Sequence, residues 1–527
     1  MINYKNIFII FILGFQSIIT ASLILYVSFI KGNNSDLLYP AMFLSDIQNN
    51  YNFLKEWVLT PAPYFFPDLL IYFLIDRGDI GHSILFYVFI FTLTLFYLAS
   101  IMILKSEKYF SQIDVIFIFM ILNVVLLSYN KLYFFYSPTY HSTIYLFGVF
   151  LIINKDNINR KITLLIYILS FLFGLSDPFV IIQIIIPSIF YCLISRYPDK
   201  NLLNWNLMYF IRVLLFSILG KLFINGLHKN KLIIVPEVPI FKSFFYILKN
   251  LLFIENLSKS FHYFLQEFYE VKILYIFILL FILIFIFDKK YTKIEIIYTY
   301  IFATMLLFIF QGWFGIWIGY RYMWFFYIYP VAYIVYYILL KINIYFQISV
   351  REEIKTISYI QKIKWIFPIF VLLFQFYYFQ ENIETILNFY QRDYRNIEIN
   401  TSSHLTINYP VQKILPPDIN CINELSKKYY LSRGVSDYWN AKYITFFSNN
   451  KFLVNQYTSN MEEYYWINNK SLFKIRNELV YYNFIITDRL NIDKIIELIG
   501  NPDFIEICGE NHIYIYKKYF QVSSRSR

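Results

Sequence analysis

Ile273-Leu-Tyr-Ile-Phe-Ile-Leu-Leu-Phe-Ile-Leu-Ile-Phe-Ile-Phe287 contains no charged side chain. A helix on the surface of a water-soluble domain shows a polar face at a period of 3.6 residues. This run shows none, and it belongs in hydrocarbon. Similar blocks recur at 7–30, 82–104, 113–128, 133–153, 162–176, 179–195, 206–227, 294–310, 316–340 and 365–380. Only 15% of the 527 residues are charged, against about 25% in an ordinary soluble domain. The expected fold class is an α-helical polytopic membrane protein with about eleven transmembrane helices and a small C-terminal extracytoplasmic α/β domain.

The loops between the blocks give the expected sidedness. With the N-terminus inside, the cytoplasmic segments are 1–6, 105–112, 155–161, 196–205, 288–293 and 341–364, and they hold 16 Lys and Arg. The opposite loops, 31–81, 129–132, 177–178, 228–271 and 311–315, are longer in total and hold nine. Cytoplasmic loops carry the excess of Lys and Arg, so the bias fixes the orientation. The net charge of +11 therefore belongs to membrane topology and not to nucleic-acid binding. The first block exceeds the ~7–15 residues of a signal-peptide core and reads as an uncleaved span.

The domains expected are a transmembrane part, 1–380, with long outer loops 31–81 and 228–271, and a soluble part, 381–527. In the soluble part, 483–488 and 512–517 alternate like strands. Ile492 to Ile499 reads as a helix stopped by Gly500, with Pro502 beyond. Cys421 and Cys508 both fall here. An oxidising compartment would allow them to pair, although two free thiols is the default expectation. No glycine-rich phosphate loop, nucleophile elbow or zinc-spaced Cys/His set occurs.

Five polar residues fall on the expected outer side. Met42 to Leu59 puts Phe43, Ile47, Tyr51, Leu54 and Val58 on one stripe, as in a helix lying along the membrane surface, with Asp46 near its start. Asp46 could act as general base toward a hydroxyl, or simply cap a helix. Asp68 ends the proline-broken segment 60–68, ahead of an apolar run too short to span. His141 follows Ser137-Pro-Thr-Tyr140 and could bind an anion or only hydrogen-bond its surroundings. Asp177, before Pro178, divides two short apolar stretches, either in a depression of the outer surface or in a plain tight turn. Arg321 suits a phosphate through its planar fork, or snorkels to the head groups.

Phe43-Leu-Ser-Asp46, Pro63-Tyr-Phe-Phe-Pro-Asp68, Ser176-Asp-Pro178 and Gly434-Val-Ser-Asp-Tyr-Trp-Asn-Ala441 resemble segments of an uncharacterised bacterial branch of the GT-C superfamily of multispanning glycosyltransferases. The many spans, the long acidic first outer loop and the terminal outer domain resemble that superfamily over the whole chain. The resemblance implies an inverting transfer from a polyprenyl-phosphate-linked sugar to a glycan, lipid or protein acceptor at the outer face of a bacterial cytoplasmic membrane. Asp46 would be the general base. Arg321, with His141, would stabilise the departing phosphate, and Asp68 and Asp177 would contact substrate. Many members carry two acids separated by one residue, whereas here Asp46 is followed by Ile47-Gln48. No cofactor is implied, and a divalent metal is not indicated. The rival expectations are a transporter of lipid-linked sugars, an O-antigen ligase or polymerase, and a non-catalytic assembly protein. Internal pseudo-repeats would mark the transporter, and none is evident.

Overall fold

The computed structural model describes residues 4–30, 35–48, 53–75, 80–106, 110–128, 132–155, 159–195, 200–236, 272–287, 294–314, 324–349, 417–448, 453–475, 478–509 and 511–522, with four isolated positions besides. These residues are mostly helical. The helices are α1 (Tyr4–Leu25), α2 (Tyr39–Gln48), α3 (Phe53–Glu56), α4 (Leu70–Ile75), α5 (Ile80–Ser106), α6 (Gln112–Ser128), α7 (Thr143–Asn154), α8 (Arg160–Ser176), α9 (Ile186–Ile194) and α10 (Lys200–Lys229). They continue with α11 (Lys272–Phe287), α12 (Ile294–Phe314) and α13 (Trp324–Ser349), then α14 (Pro417–Tyr429), α15 (Tyr438–Phe447) and α16 (Ile492–Ile499) in the C-terminal region.

Four stretches, Ile7–Ser28, Ile80–Lys105, Trp205–Lys229 and Phe326–Tyr345, are long and apolar enough to cross a membrane. Their partners are shorter apolar helices. Leu164, Leu165 and Ile168 of α8 and Leu215, Leu219, Leu222 and Phe223 of α10 are exposed. Water would penalise such an apolar surface, whereas lipid does not. Inward, α8 and α10 approach through glycines. A Cβ on Gly174 would lie 2.0 Å from the Ser217 carbonyl oxygen, and one on Gly220 2.1 Å from that of Phe171. Small residues at such a crossing let two backbones touch, which is how helices gain packing energy in lipid.

Two stretches differ from the sequence reading. The fourth expected span is helical only over Thr143–Asn154, preceded by a 3-10 turn at Leu132–Tyr136. Pro138 and the positive φ of Thr139 and His141 interrupt it. The surface helix expected over 42–59 ends at Gln48; Phe53–Glu56 forms a single turn, and Trp57–Val58 is a strand (β1). Of that stripe, Phe43 and Ile47 lie on α2 and pack in one cluster, whereas Val58 belongs to β1. Of the tenth expected span, 316–340, the described part from Trp324 lies in α13. Arg321 and nearly all of 228–271 and 365–380 lie outside the described residues.

The C-terminal region is built on a five-stranded sheet. Its strands are β2 (Arg433–Ser436), β3 (Leu453–Gln456), β7 (Tyr482–Ile486), β8 (Phe504–Cys508) and β9 (Asn511–Phe520), in the order β3-β2-β7-β9-β8. Between β3 and β7 lie β4 (Asn468–Asn469) and the hairpin β5 (Lys474–Ile475) and β6 (Glu478–Leu479). β2 pairs in parallel with β3 and β7, and β9 runs antiparallel to β7 and β8. Parallel pairing of β2 and β3 needs a crossover, which α15 supplies. Asp437 caps α15 by accepting from the backbone N–H of Trp439 and Asn440. Asn491 caps α16, and Gly500, at φ 99°, ends it. Cys421 of α14 and Cys508 of β8 form a disulfide, with Cα atoms 5.6 Å apart.

One short pairing places the site. β1, from the first long loop, pairs antiparallel with β4 of the C-terminal region. On its other side, the Leu59 amide donates to the Ile234 carbonyl, 2.8 Å away, just after α10. The loop is thus held between the membrane helices and the terminal sheet.

Candidate functional site

Asp46 sits on α2, and its carboxylate points at this seam. Its Oδ2 accepts from the Trp57 indole Nε1 at 2.7 Å and from the Asn469 amide at 3.1 Å. Trp57 and Asn469 are paired residues of β1 and β4, so the two-stranded ladder brings both donors to one oxygen. Oδ1 has no hydrogen-bond partner among the described residues. The side chain is half-buried, and burial raises its pKa above the ordinary aspartate value. The bonds from Asn469 and Trp57 and the charge of Lys442 pull the other way.

Lys442 belongs to α15 and is only 2% exposed. Its Nζ lies 5.7 Å from the Trp57 ring centroid and 5.2 Å from that of Tyr438. It has no hydrogen-bond partner among the described residues. Burial pushes the amine down to about 7, although Asp36 and Asp46 favour its charged form. The same seam is fastened at two further points. Tyr438 donates to Asp36 at 2.6 Å, and the Ser35 hydroxyl donates to the Trp439 carbonyl.

The other described candidates form a second, fully buried polar cluster. His141 Nδ1 lies 2.7 Å from Asp177 Oδ2, and its Nε2 lies 2.6 Å from the Tyr64 hydroxyl. With Asp177 ionised, this pattern assigns the proton to Nδ1, so that Nε2 accepts from Tyr64. Asp177 ends α8, and its Oδ1 accepts from the Phe179 amide at 3.1 Å. Asp68 accepts from Tyr87, from the Thr143 hydroxyl at 2.9 Å and from the Thr139 amide at 3.4 Å. Burial raises Asp68 to about 6, with Asp177 adding to the rise and the three donors opposing it.

Local chain geometry assembles this cluster. Pro63 and Pro67 bracket a kink before α4, where Tyr64 takes a positive φ of 57° and Phe66 is extended. The end of α8 then holds the segment. The Ser176 carbonyl accepts from the Tyr64 amide at 3.1 Å, and the Ser176 hydroxyl accepts from the Phe66 amide at 2.8 Å.

The structure therefore brings Asp68, His141 and Asp177 together and sets Asp46 apart. Tyr39, Phe43, Trp57 and Tyr64 pack in one aromatic cluster that links the two groups. Each carboxylate oxygen of Asp68 and Asp177 already accepts a bond inside the protein. Of these three carboxylates, Asp46 alone offers an oxygen without a partner among the described residues. Sequence reasoning missed Trp57, Asn469 and Lys442. Lys442 had one visible signal, a charge one helical turn after Tyr438 on the apolar face of α15. Asn469 had none, because its register against Trp57 is tertiary. Among the described residues no set of three His, Cys, Asp or Glu side chains is placed to hold a metal ion. No protein-family model, curated protein or solved structure matches the chain.

Proposed function

We propose that the chain is a membrane glycosyltransferase that moves a sugar from a polyprenyl-phosphate donor to an acceptor hydroxyl on the extracytoplasmic side. In this reading the shorter apolar helices complete about eleven crossings of a bacterial cytoplasmic membrane, with the N-terminus inside. The observation that carries it is the Asp46 carboxylate, with one oxygen held and one open, at the seam between the first long loop and the terminal sheet.

Asp46 acts as general base. Its Oδ1 takes the proton of the acceptor hydroxyl as that oxygen attacks the anomeric carbon. The bond from that carbon to the phosphate oxygen breaks, the electron pair leaves with the phosphate, and configuration inverts. Trp57 and Asn469 fix the carboxylate through Oδ2, which orients Oδ1. Partial burial makes the carboxylate a stronger base than one in water. Arg321 would stabilise the growing phosphate charge, as donors aimed at developing charge do elsewhere. Asp68, His141 and Asp177 hold the segment before α4 in place instead of meeting substrate, since their polar atoms are taken up internally. The disulfide suits a domain outside the cytoplasm.

Replacing Asp46 with Asn keeps the size and removes the base. The expected result is loss of the cell-surface glycan while the protein still inserts and accumulates. An unchanged glycan removes Asp46 from the reaction.

A further inference from the structure

Lys442 is a buried charged group at the seam whose amine the described residues leave without an acceptor. Buried polar groups are nearly always satisfied, and an exception points to a water, ion or ligand. Stacking over Trp57 and Tyr438 offsets part of the cost but offers no hydrogen-bond acceptor.

Asp36 and Asp46 are its acidic neighbours, and Asp36 already accepts from the Tyr438 hydroxyl. Asp46 and Lys442 both meet Trp57: Asp46 Oδ2 accepts from its indole N–H at 2.7 Å, and Lys442 Nζ lies 5.7 Å from its ring centroid. They nevertheless make no ion pair within 4.0 Å. Thus an N–H donor from the terminal region and an open carboxylate oxygen from the first loop adjoin the same indole, and neither is satisfied.

We infer that Lys442 Nζ and Asp46 Oδ1 together bind one hydroxyl group, that of a sugar or other polyol acceptor. A hydroxyl oxygen accepts from the amine while its hydrogen is donated to the carboxylate, so one atom satisfies both groups. A phosphate dianion has no proton to give Asp46, and it would face Asp36 and Asp46 against a single amine. The leaving phosphate must then sit elsewhere. The inference rests on the base role given to Asp46 above and adds a substrate contact from the terminal region. Lys442 steadies the acceptor oxygen and leaves its hydrogen directed at Asp46, with no proton of its own transferred.

The test uses the full chain in lipid nanodiscs, with D-glucose, D-galactose and N-acetyl-D-glucosamine as probes and inorganic phosphate as competitor, read by ligand-detected NMR. Wild type should bind at least one hexose saturably. Lys442→Met and Asp46→Asn should each weaken binding about ten-fold or more, the worth of one hydrogen bond to a charged group. Phosphate should not compete. Lys442→Met should keep or raise the thermal midpoint, because it removes an unpaired buried amine. A purely structural lysine would lower the midpoint and leave hexose affinity unchanged. Equal affinity in Lys442→Met, competition by phosphate, or no hexose binding to wild type overturns the inference. Should Lys442→Gln retain full glycan synthesis while Asp46→Asn abolishes it, the hydroxyl bracket fails and the base role stands. Should hexose binding need Lys442 while Asp46→Asn leaves the glycan intact, the transferase reading fails instead.

Discussion

Removing the disulfide should loosen the terminal sheet from one edge. Cys421 lies on α14 and Cys508 at the end of β8, an edge strand, and the bond closes a sequence separation of 87 residues. The chain-entropy relation for a loop of that length gives about 4–5 kcal/mol at 25 °C. Besides the disulfide, Ile419 and Ile422 of α14 are buried in one cluster with Cys508 and the sheet, and Tyr429 donates to Glu506. Lys428 and Glu506 meet at 2.9 Å at the exposed surface, and the Tyr429 and Phe504 rings lie 5.0 Å apart. An exposed ion pair contributes only ~0–1 kcal/mol. The Cys421→Ala/Cys508→Ala chain should therefore lose hydrogen-exchange protection in α14 and β8, while β2 and β7 at the centre change less. Native-state exchange on the full chain in nanodiscs, with and without reductant, reads the difference. A change below about 1 kcal/mol in α14 and β8 would refute the reasoning. Two free thiols in protein taken from intact cells would instead count against the proposed extracytoplasmic position, where the bond should stay oxidised.

Three further outcomes are expected. His141→Ala leaves Asp177 buried without its partner, so the folded state should lose about 3–5 kcal/mol; fluorescence-detected thermal unfolding in detergent would show it, and an unchanged midpoint would mean the pair is not formed. Gly174→Ala and Gly220→Ala force α8 and α10 apart and should each cost about 1–3 kcal/mol, whereas Gly226→Ala, with nothing within 4 Å of the added carbon, should be neutral or mildly stabilising in the same measurement. Lys442, held at about 7 in the fold against 10.5 unfolded, binds fewer protons folded than unfolded between those values; stability should rise with pH across that window by up to ~1.4 kcal/mol per unit, and Lys442→Met should remove that part of the slope.

The membrane helices were legible because apolar runs are a one-dimensional signal. Ile7–Ser28 and Ile80–Lys105 fall where hydropathy alone puts them. The terminal elements around β7, α16 and β9 were legible for a related reason, since alternation, an Asn cap and Gly500 are local. The first long loop misled. Its 3.6-residue spacing is real, but Phe43 of that stripe lies on a helix and Val58 on a strand. Spacing cannot distinguish one continuous face from two separate elements. The convergence of Asp68, His141 and Asp177 depends on contacts 36 to 75 residues apart, through the end of α8 and the turn before α7. The residues beside Asp46 are further still: Asn469 is 423 positions away. A pairing of that range leaves no trace in local composition.

The central claim is that the Asp46 carboxylate takes a proton from the acceptor as the sugar moves. Initial rates of sugar transfer from a polyprenyl-phosphate donor, measured against pH in membrane vesicles carrying wild type, Asp46→Glu or Asp46→Asn, test it directly. Wild type should lose rate as pH falls through a value above the ordinary aspartate pKa, because the base must be ionised and burial raises it. Asp46→Glu should keep a reduced rate with an acid limb of its own. Asp46→Asn should lose about 100-fold or more, with no acid limb left. Transfer by Asp46→Asn at the wild-type rate, with the wild-type pH profile, would contradict the account.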